Sequence, residues 1–411
     1  MKTRKQGDHI HLHVINGYKV LFVKQPNTNQ LHIECVIRSG FYNETKELSG
    51  INHLLEHMMV EGWKQCKLSC SRYWDNKGYY TNASTDKTTM NYYIKGLNHE
   101  WKNMITYMTS IINKPVLTTS TMDKEKQAVI DELLTFSTEP NANLMDTFNK
   151  EFFKIDGLKY TDDWQLQIDN LKKISVDDVY TMFDTYFNNT NMMFIVLGDF
   201  KERDVYSIFK QRLKPSTFKH NLDFTDCYSY NHDIVFTKKN IENTKILIGF
   251  PFAKQTNYIY IHLIKSVLHT LLFDEMRTKK SIVYDIMVLN EINLCGTSLY
   301  IEFDVQTKHA KHALKSLFAF IEKIKDMTIT NFDGLKNKEI YDYMTGENSI
   351  MDYYTSLIYT NSPLYTKKQI IHLVQTITHS KFKKMMNELL QLKNALCVYE
   401  SKQNLHLSWK N

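Results

Sequence analysis

Residues 53–57 read His-Leu-Leu-Glu-His, within Gly50-Ile51-Asn52-His53-Leu54-Leu55-Glu56-His57-Met58-Met59. At about 100° per residue, a helix here places His53 and His57 one turn apart, roughly 40° around the axis, and Glu56 roughly 60° to the other side of His53. Ile51, Leu54, Leu55, Met58 and Met59 take the opposite half. The pattern predicts a helix with its apolar back in a core and two imidazoles and a carboxylate on its front. Two histidines at i and i+4 fit two corners of a zinc tetrahedron. A carboxylate beside them is placed to take a proton from a water that such an ion activates.

A hydrolytic zinc site needs a third protein ligand and an open fourth position. Residues 122–136 read as a second helix, with Asp123 near its start. Glu125 and Glu132 lie seven apart and nearly eclipse, on a stripe shared with Val129 and Phe136. Carboxylates on an apolar stripe want a partner. A metal at Glu132 supplies one, and Glu125 is placed to orient a ligand from behind. Taken alone, this stretch also reads as an ordinary solvated Lys/Glu helix.

Together these pieces resemble the inverzincin peptidases: pitrilysin, insulin-degrading enzyme and the mitochondrial processing peptidase. The spelling is H-x-x-E-H, the inverse of H-E-x-x-H. The likeness extends to Asn16-Gly17-Tyr18-Lys19-Val20 before a first long strand, Gly40-Phe41-Tyr42-Asn43-Glu44, Gly50 ahead of the helix and Gly62 after it. From His57 to Glu132 is 132 − 57 = 75 residues, which fits the family's spacing to its third ligand. Asn82-Ala83-Ser84-Thr85 and Val196-Leu197-Gly198-Asp199 are also similar to family segments.

The resemblance implies one zinc ion per chain on His53, His57 and Glu132, Glu56 as general base, and Glu125 in support. It implies that Asn82 and Ala83 lie on an edge strand to which an extended peptide adds. It implies that Arg277 and Tyr284, seven apart in Arg277-Thr278-Lys279-Lys280-Ser281-Ile282-Val283-Tyr284, reach the catalytic cleft; without it they read as a helix-ending Arg and a core Tyr. The family's chambers contain four such domains, so a two-domain chain is expected to pair, as a homodimer or with a related chain. The sequence departs from the family at Tyr79-Tyr80, at Ser84 and in the loop from Trp63 to Asn76.

At 411 residues the chain suits two domains. Its composition, 43% hydrophobic and 23% charged, is that of a globular protein. The formal charge of +6 comes without a long basic run or a binding motif, so nucleic acid is not expected as a partner. No apolar run reaches transmembrane length, and the basic start Met1-Lys2-Thr3-Arg4-Lys5 has no apolar stretch behind it. The six scattered cysteines, at 35, 66, 70, 227, 295 and 397, read as reduced thiols. An N-glycan on the Asn82-Ala83-Ser84 sequon would block the site, so an intracellular, most simply cytoplasmic, setting is expected; a mitochondrial-type one stays open. His9-Ile10-His11-Leu12-His13 suggests metal, but its alternation with apolar residues reads first as a strand.

Residues 13–38 read as strands around the Asn16-Gly17 turn. Helices follow at about 49–60, 99–114 and 121–137, with strands near 79–84, 88–95 and 191–198. After a polar stretch a similar layout repeats: strands near 233–237 and 244–250, a helix near 256–277, a strand pair near 282–305, helices at 308–326, 332–345 and 379–391, and a strand at 394–400. The expected fold is α+β: two similar layered domains, each a mixed sheet packed with helices, like the duplicated half of the pitrilysin clamshell. The expected parts are a metal-binding domain at 1–212, a linker at 213–232 and a metal-free homologous domain at 233–411. The expected function is that of a zinc metalloendopeptidase acting on extended peptides or precursor proteins. The rivals are a non-catalytic subunit of a peptidase-like heterodimer and a basic adaptor that holds no zinc.

Overall fold

The computed structural model describes residues 9–66, 69–113, 115–139, 141–215, 227–230, 232–252, 257–345, 347–358 and 363–409. In chain order the first part runs β1 (His9–Ile15), β2 (Tyr18–Lys24), β3 (Gln30–Ile37), α1 (Ile51–Val60), α2 (Cys70–Asp75), β4 (Tyr80–Thr85), β5 (Met90–Leu97), α3 (Trp101–Asn113), α4 (Thr119–Ser137), α5 (Ala142–Phe152), α6 (Asp156–Lys159), α7 (Trp164–Leu171), α8 (Val176–Tyr186), β6 (Met192–Gly198) and α9 (Glu202–Arg212). The second runs β7 (Ile234–Lys238), β8 (Asn243–Phe252), α10 (Tyr258–Phe273), β9 (Ile286–Asn293), β10 (Gly296–Gln306), α11 (Ala310–Asp326), α12 (Phe332–Thr345), α13 (Glu347–Ser356), α14 (Lys367–Thr376), α15 (His379–Leu389) and β11 (Leu396–Ser401).

Each part builds one mixed sheet. The orders are β1-β2-β6-β3-β5-β4 and β7-β11-β8-β10-β9. Without β1 the two orders match strand for strand, and each has one parallel pair, β2 with β6 and β7 with β11. The chain is therefore a mixed α+β protein of two like halves, as the repeated layout predicts. The hairpin between β1 and β2 turns on Asn16 and Gly17, whose φ values of 50° and 92° suit a two-residue turn that follows the sheet's twist. Helix α10 is shorter than the predicted 256–277 helix, because a π-helical turn over Asp274–Lys279 carries the chain on from it.

Contacts group the described residues into two compact units: those up to 139 with 163–215, and 141–162 with those from 227 onward. Residues 141–162 thus pack with the second half, although they fall inside the span 1–212. Phe148 and Phe152 of α5 lie against Tyr300, at 5.7 and 5.8 Å between ring centroids. Phe148 also fills the space where Gly249 has no side chain; a Cβ there would stand 2.3 Å from its ring. Of the expected linker, 216–226 and 231 lie outside the described residues. Tyr228 bridges Phe153, and its ring is buried.

The expectation of reduced thiols is corrected. Cys66 is bonded to Cys70 and Cys227 to Cys295, while Cys35 and Cys397 are free and buried. Cys66 and Cys70 have Cα atoms 5.1 Å apart where the chain turns into α2. Cys227 and Cys295 are 68 residues apart in sequence; the bridge to Phe153 and the β9–β10 turn bring their Cα atoms to 5.8 Å. The reducing setting loses the support drawn from free thiols. No helix among the described residues is long and apolar enough to cross a membrane.

In the second unit, Glu339 of α12 lines a cavity of about 400 Å³ with His262, Lys265, Asp342 and Tyr343, and is 7% exposed. Burial pushes its carboxyl up to about 7, with Asp342 adding and Lys265 and Lys338 opposing. A folded-state pKa above the unfolded value gives stability that is present at low pH and lost as pH rises through the folded pKa. Glu339→Gln, neutral throughout, should therefore gain on wild type between about pH 4.5 and 7, by about 3 kcal/mol at most. Unfolding midpoints measured across that range check this; a difference that does not change with pH refutes it.

Candidate metal and peptide site

Helix α1 begins at Gly50, whose φ of 96° is left-handed and suits a residue without Cβ. Ile51, Leu54, Leu55, Met58 and Met59 are wholly buried, as the apolar half of the wheel predicts. At about 2 kcal/mol per such side chain this burial contributes roughly 10 kcal/mol of gross stabilisation and fixes the helix's rotation. His53, Glu56 and His57 are then left on the front. Helix α4 packs against α1 and brings Glu125 and Glu132 to it. Val129 is buried on the predicted stripe, but Phe136, near the helix end, is 36% exposed and meets Trp164 with the rings tilted, 5.7 Å between centroids.

The front of α1 and α4 holds a three-donor group. One ring nitrogen each of His53 and His57 and one oxygen of Glu132 lie within 4.8 Å of one another. Glu132 Oε2 is 3.6 Å from His53 Nε2 and 3.5 Å from His57 Nε2. Donors about 2.1 Å from a tetrahedral zinc stand about 3.4 Å apart, so this spacing fits the ion with little movement. The residues present thus fit zinc in number, type and separation. Glu125, 6% exposed, faces the other nitrogen of His57, with Oε2 3.5 Å from Nδ1.

The carboxyls of this cluster diverge in acidity. His53 is the main influence holding Glu132 below the usual range, against the effect of burial. Glu125 is likewise held low, chiefly by His57. Burial pushes Glu56 up, and Glu132 adds to this, while His53, Thr85 and His57 pull it down. For His57 burial works downward, but Glu125, Glu56 and Glu132 outweigh it and raise the imidazole.

Two supports were not read from the sequence. Thr85 Oγ1 donates to Glu56 Oε2 at 2.6 Å from the end of β4. Strand alternation puts Thr85 on the same face as Ala83, and the packing of β4 against α1 turns that face toward Glu56. Glu44 is buried beside the start of α1. Its Oε2 accepts from Gly50 N at 2.8 Å, and its Oε1 from Asn52 N at 2.8 Å and Asn52 Nδ2 at 3.2 Å. Asn52 Nδ2 also donates to Gly40 O.

Among the described residues β4 is an edge of its sheet, paired only with β5. Ala83 packs on the core, whereas Asn82 is exposed on the opposite face from Thr85. Arg277 and Tyr284 belong to the second unit and touch each other, with the guanidinium 4.8 Å from the ring centroid. Tyr284 is 81% exposed, so the alternative of a core tyrosine is excluded. In that unit no three described His, Cys, Asp or Glu donors converge.

Residues 19–161 match the family described as Insulinase (Peptidase family M16), and residues 173–339 match Peptidase M16 inactive domain. The chain is 20% identical over 337 residues to the uncharacterized zinc protease YmxG of Bacillus subtilis, covering 79% of each chain. It is 21% identical over 356 residues to zinc protease PqqE of Helicobacter pylori, covering 82% of this chain and 80% of that one. It is 25% identical over 118 residues to the mitochondrial-processing peptidase subunit beta of Saccharomyces cerevisiae, or 28% of this chain and 26% of that one. A crystal structure of a protease from Helicobacter pylori superposes with a TM-score of 0.83 at 17% identity, covering 96% of this chain and 100% of that one. A peptidase M16 inactive domain structure from Pseudomonas fluorescens gives 0.82 at 14%, covering 96% and 98%. These two likenesses concern the fold.

Proposed function

Because the chain belongs to the M16, insulinase-type peptidase family, we propose that it is a zinc-dependent metalloendopeptidase that cleaves extended peptides or precursor proteins, with Glu56 as general base. The observation that carries this reading is the spacing of His53, His57 and Glu132, close to the edges of a zinc tetrahedron, with Glu56 buried beside them. Zinc bound there supplies a Lewis acid that polarises the scissile carbonyl and acidifies the attacking water.

The chain's own residues do the rest. His53 and His57 present their Nε2 atoms and Glu132 its Oε2 as one ion's ligands. Glu125 faces His57 Nδ1 and orients that ring. Glu56 accepts the water's proton and returns it to the leaving amine. Thr85 holds Oε2 of that carboxylate, and burial raises its proton affinity. The free edge of β4, through the main chain of Asn82 and Ala83, takes the peptide as an added strand, so affinity comes from backbone pairing and tolerates varied side chains. Arg277 and Tyr284 are assigned by the same family likeness to the developing oxyanion. The active form is proposed to be a dimer, with a second copy or a related chain.

The test is hydrolysis of a mixed quenched-peptide library, with zinc measured on the same samples. Wild type should cleave and hold about one firmly bound zinc. Chelation should stop cleavage, and His57→Ala should lose that firmly bound zinc together with activity. Zinc without turnover in wild type would instead indicate a non-catalytic subunit. No zinc on His53, His57 and Glu132 would sink the reading.

A further inference from the structure

We propose that His11, His13 and Glu202 form a second metal site, for a zinc-class divalent ion, that pins edge strand β1 to helix α9. His11 and His13 are two apart on β1 and so project from the same face of the sheet. Both rings turn to one carboxylate in the first turn of α9. His11 Nδ1 lies 3.0 and 2.9 Å from the two oxygens of Glu202, and His13 Nε2 lies 2.9 Å from Oε1. The three donors fall within 4.8 Å of one another, the only such group among the described residues besides His53, His57 and Glu132.

The parts are held for the purpose. Strand β1 pairs with β2 along its whole length, from His9 opposite Lys24 to Ile15 opposite Tyr18. His13 is wedged between Phe22 and Tyr206, with centroids 4.9 and 5.4 Å away. The present contacts are hydrogen bonds, so an ion needs the donors to open by about 0.5 Å, to the roughly 3.4 Å edge of a tetrahedron. The His11 side chain is 49% exposed, so the ring is reachable from solvent. Two imidazoles with one carboxylate select zinc, nickel or copper over magnesium or calcium.

This ion is distinct from the peptidase one. β1 and β4 are the opposite edges of the six-stranded sheet, five strand spacings apart, or roughly 24 Å. Among the described residues β2 is the one strand paired with β1, so an ion bridging to α9 would add to the packing of His13 on Tyr206 in holding this edge.

The experiment is equilibrium dialysis of the untagged full chain against zinc, with the metal counted per chain and folding followed by circular dichroism. Wild type should take up about two ions, His11→Ala/His13→Ala about one, His53→Ala/His57→Ala about one, and the fourfold variant about none. The His11→Ala/His13→Ala protein should keep wild-type peptide hydrolysis and lose the thermal stabilisation that the second equivalent confers. The proposal is overturned if wild type binds about one ion that disappears with His53 and His57, or if His11→Ala/His13→Ala still binds two; His11, His13 and Glu202 then form a hydrogen-bonded clamp only. A single ion that disappears with His11 and His13 instead supports this site while rejecting the peptidase one.

Discussion

Glu56→Gln should abolish peptide hydrolysis, by about 10²–10⁴-fold, while the protein still binds its zinc. The substitution keeps the volume of the side chain and one carbonyl-type oxygen, so the Thr85 hydroxyl retains an acceptor. It removes the one group on the front of α1 that is a base without being among the three convergent donors. The wholly buried apolar back of α1 is untouched, so the change should act on turnover far more than on folding. Zinc content and thermal unfolding should match wild type. Cleavage that survives Glu56→Gln at near wild-type rate would take the proton-transfer role away from this residue. Zinc lost along with activity would mean that Glu56 ligates the metal.

Glu44→Ala should give the largest loss of stability, about 3–5 kcal/mol, and should weaken zinc binding about tenfold or more. Burial pushes the Glu44 carboxyl up to about 8, against the pull of its N–H donors from Asn52 and Gly50. It is retained in a dry place because it occupies the N-terminal end of α1, where backbone N–H groups lack intrahelical partners and the helix dipole favours an acceptor. Alanine would leave the N–H groups of Gly50 and Asn52 without their acceptor, each at a cost of about 1–3 kcal/mol. The first turn of α1 would fray, and His53 lies in that region, so ligand geometry should loosen before the second unit is affected. Hydrogen exchange and zinc competition measure the two effects. An Ala variant that keeps both protection over Ile51–His57 and zinc affinity would show that Glu44 is dispensable.

The local helices around the site were legible because each repeats its apolar residues at a helical period and ends at a Gly or a polar cap. Helices away from the site carry comparable signals. Leu144, Phe148 and Phe152 of α5 fall at i, i+4 and i+8. Ser175 with Asp178, and Thr366 with Gln369, form capping boxes at the starts of α8 and α14. In the sequence Glu44 stands out only as part of a family-like segment, since nothing local marks a carboxylate that caps a helix six residues downstream. Asn82 and Thr85 belong to one short strand, but only the packing of β4 against α1 says which of the two faces Glu56.

The sequence alone determined the periodic quantities: which half of α1 is apolar, which three of its residues share the front, that Glu125 and Glu132 share a stripe, and that the second half repeats the layout of the first without the metal motif. These follow from backbone geometry that any helix or strand imposes on its own few residues. The tertiary structure decided what depends on distant segments meeting. Residues 141–162 join the second unit, Cys227 reaches Cys295, and His11 and His13 meet Glu202 across nearly two hundred residues. Such contacts reflect loop closure and core packing rather than any local period, and a single sequence carries no direct trace of them.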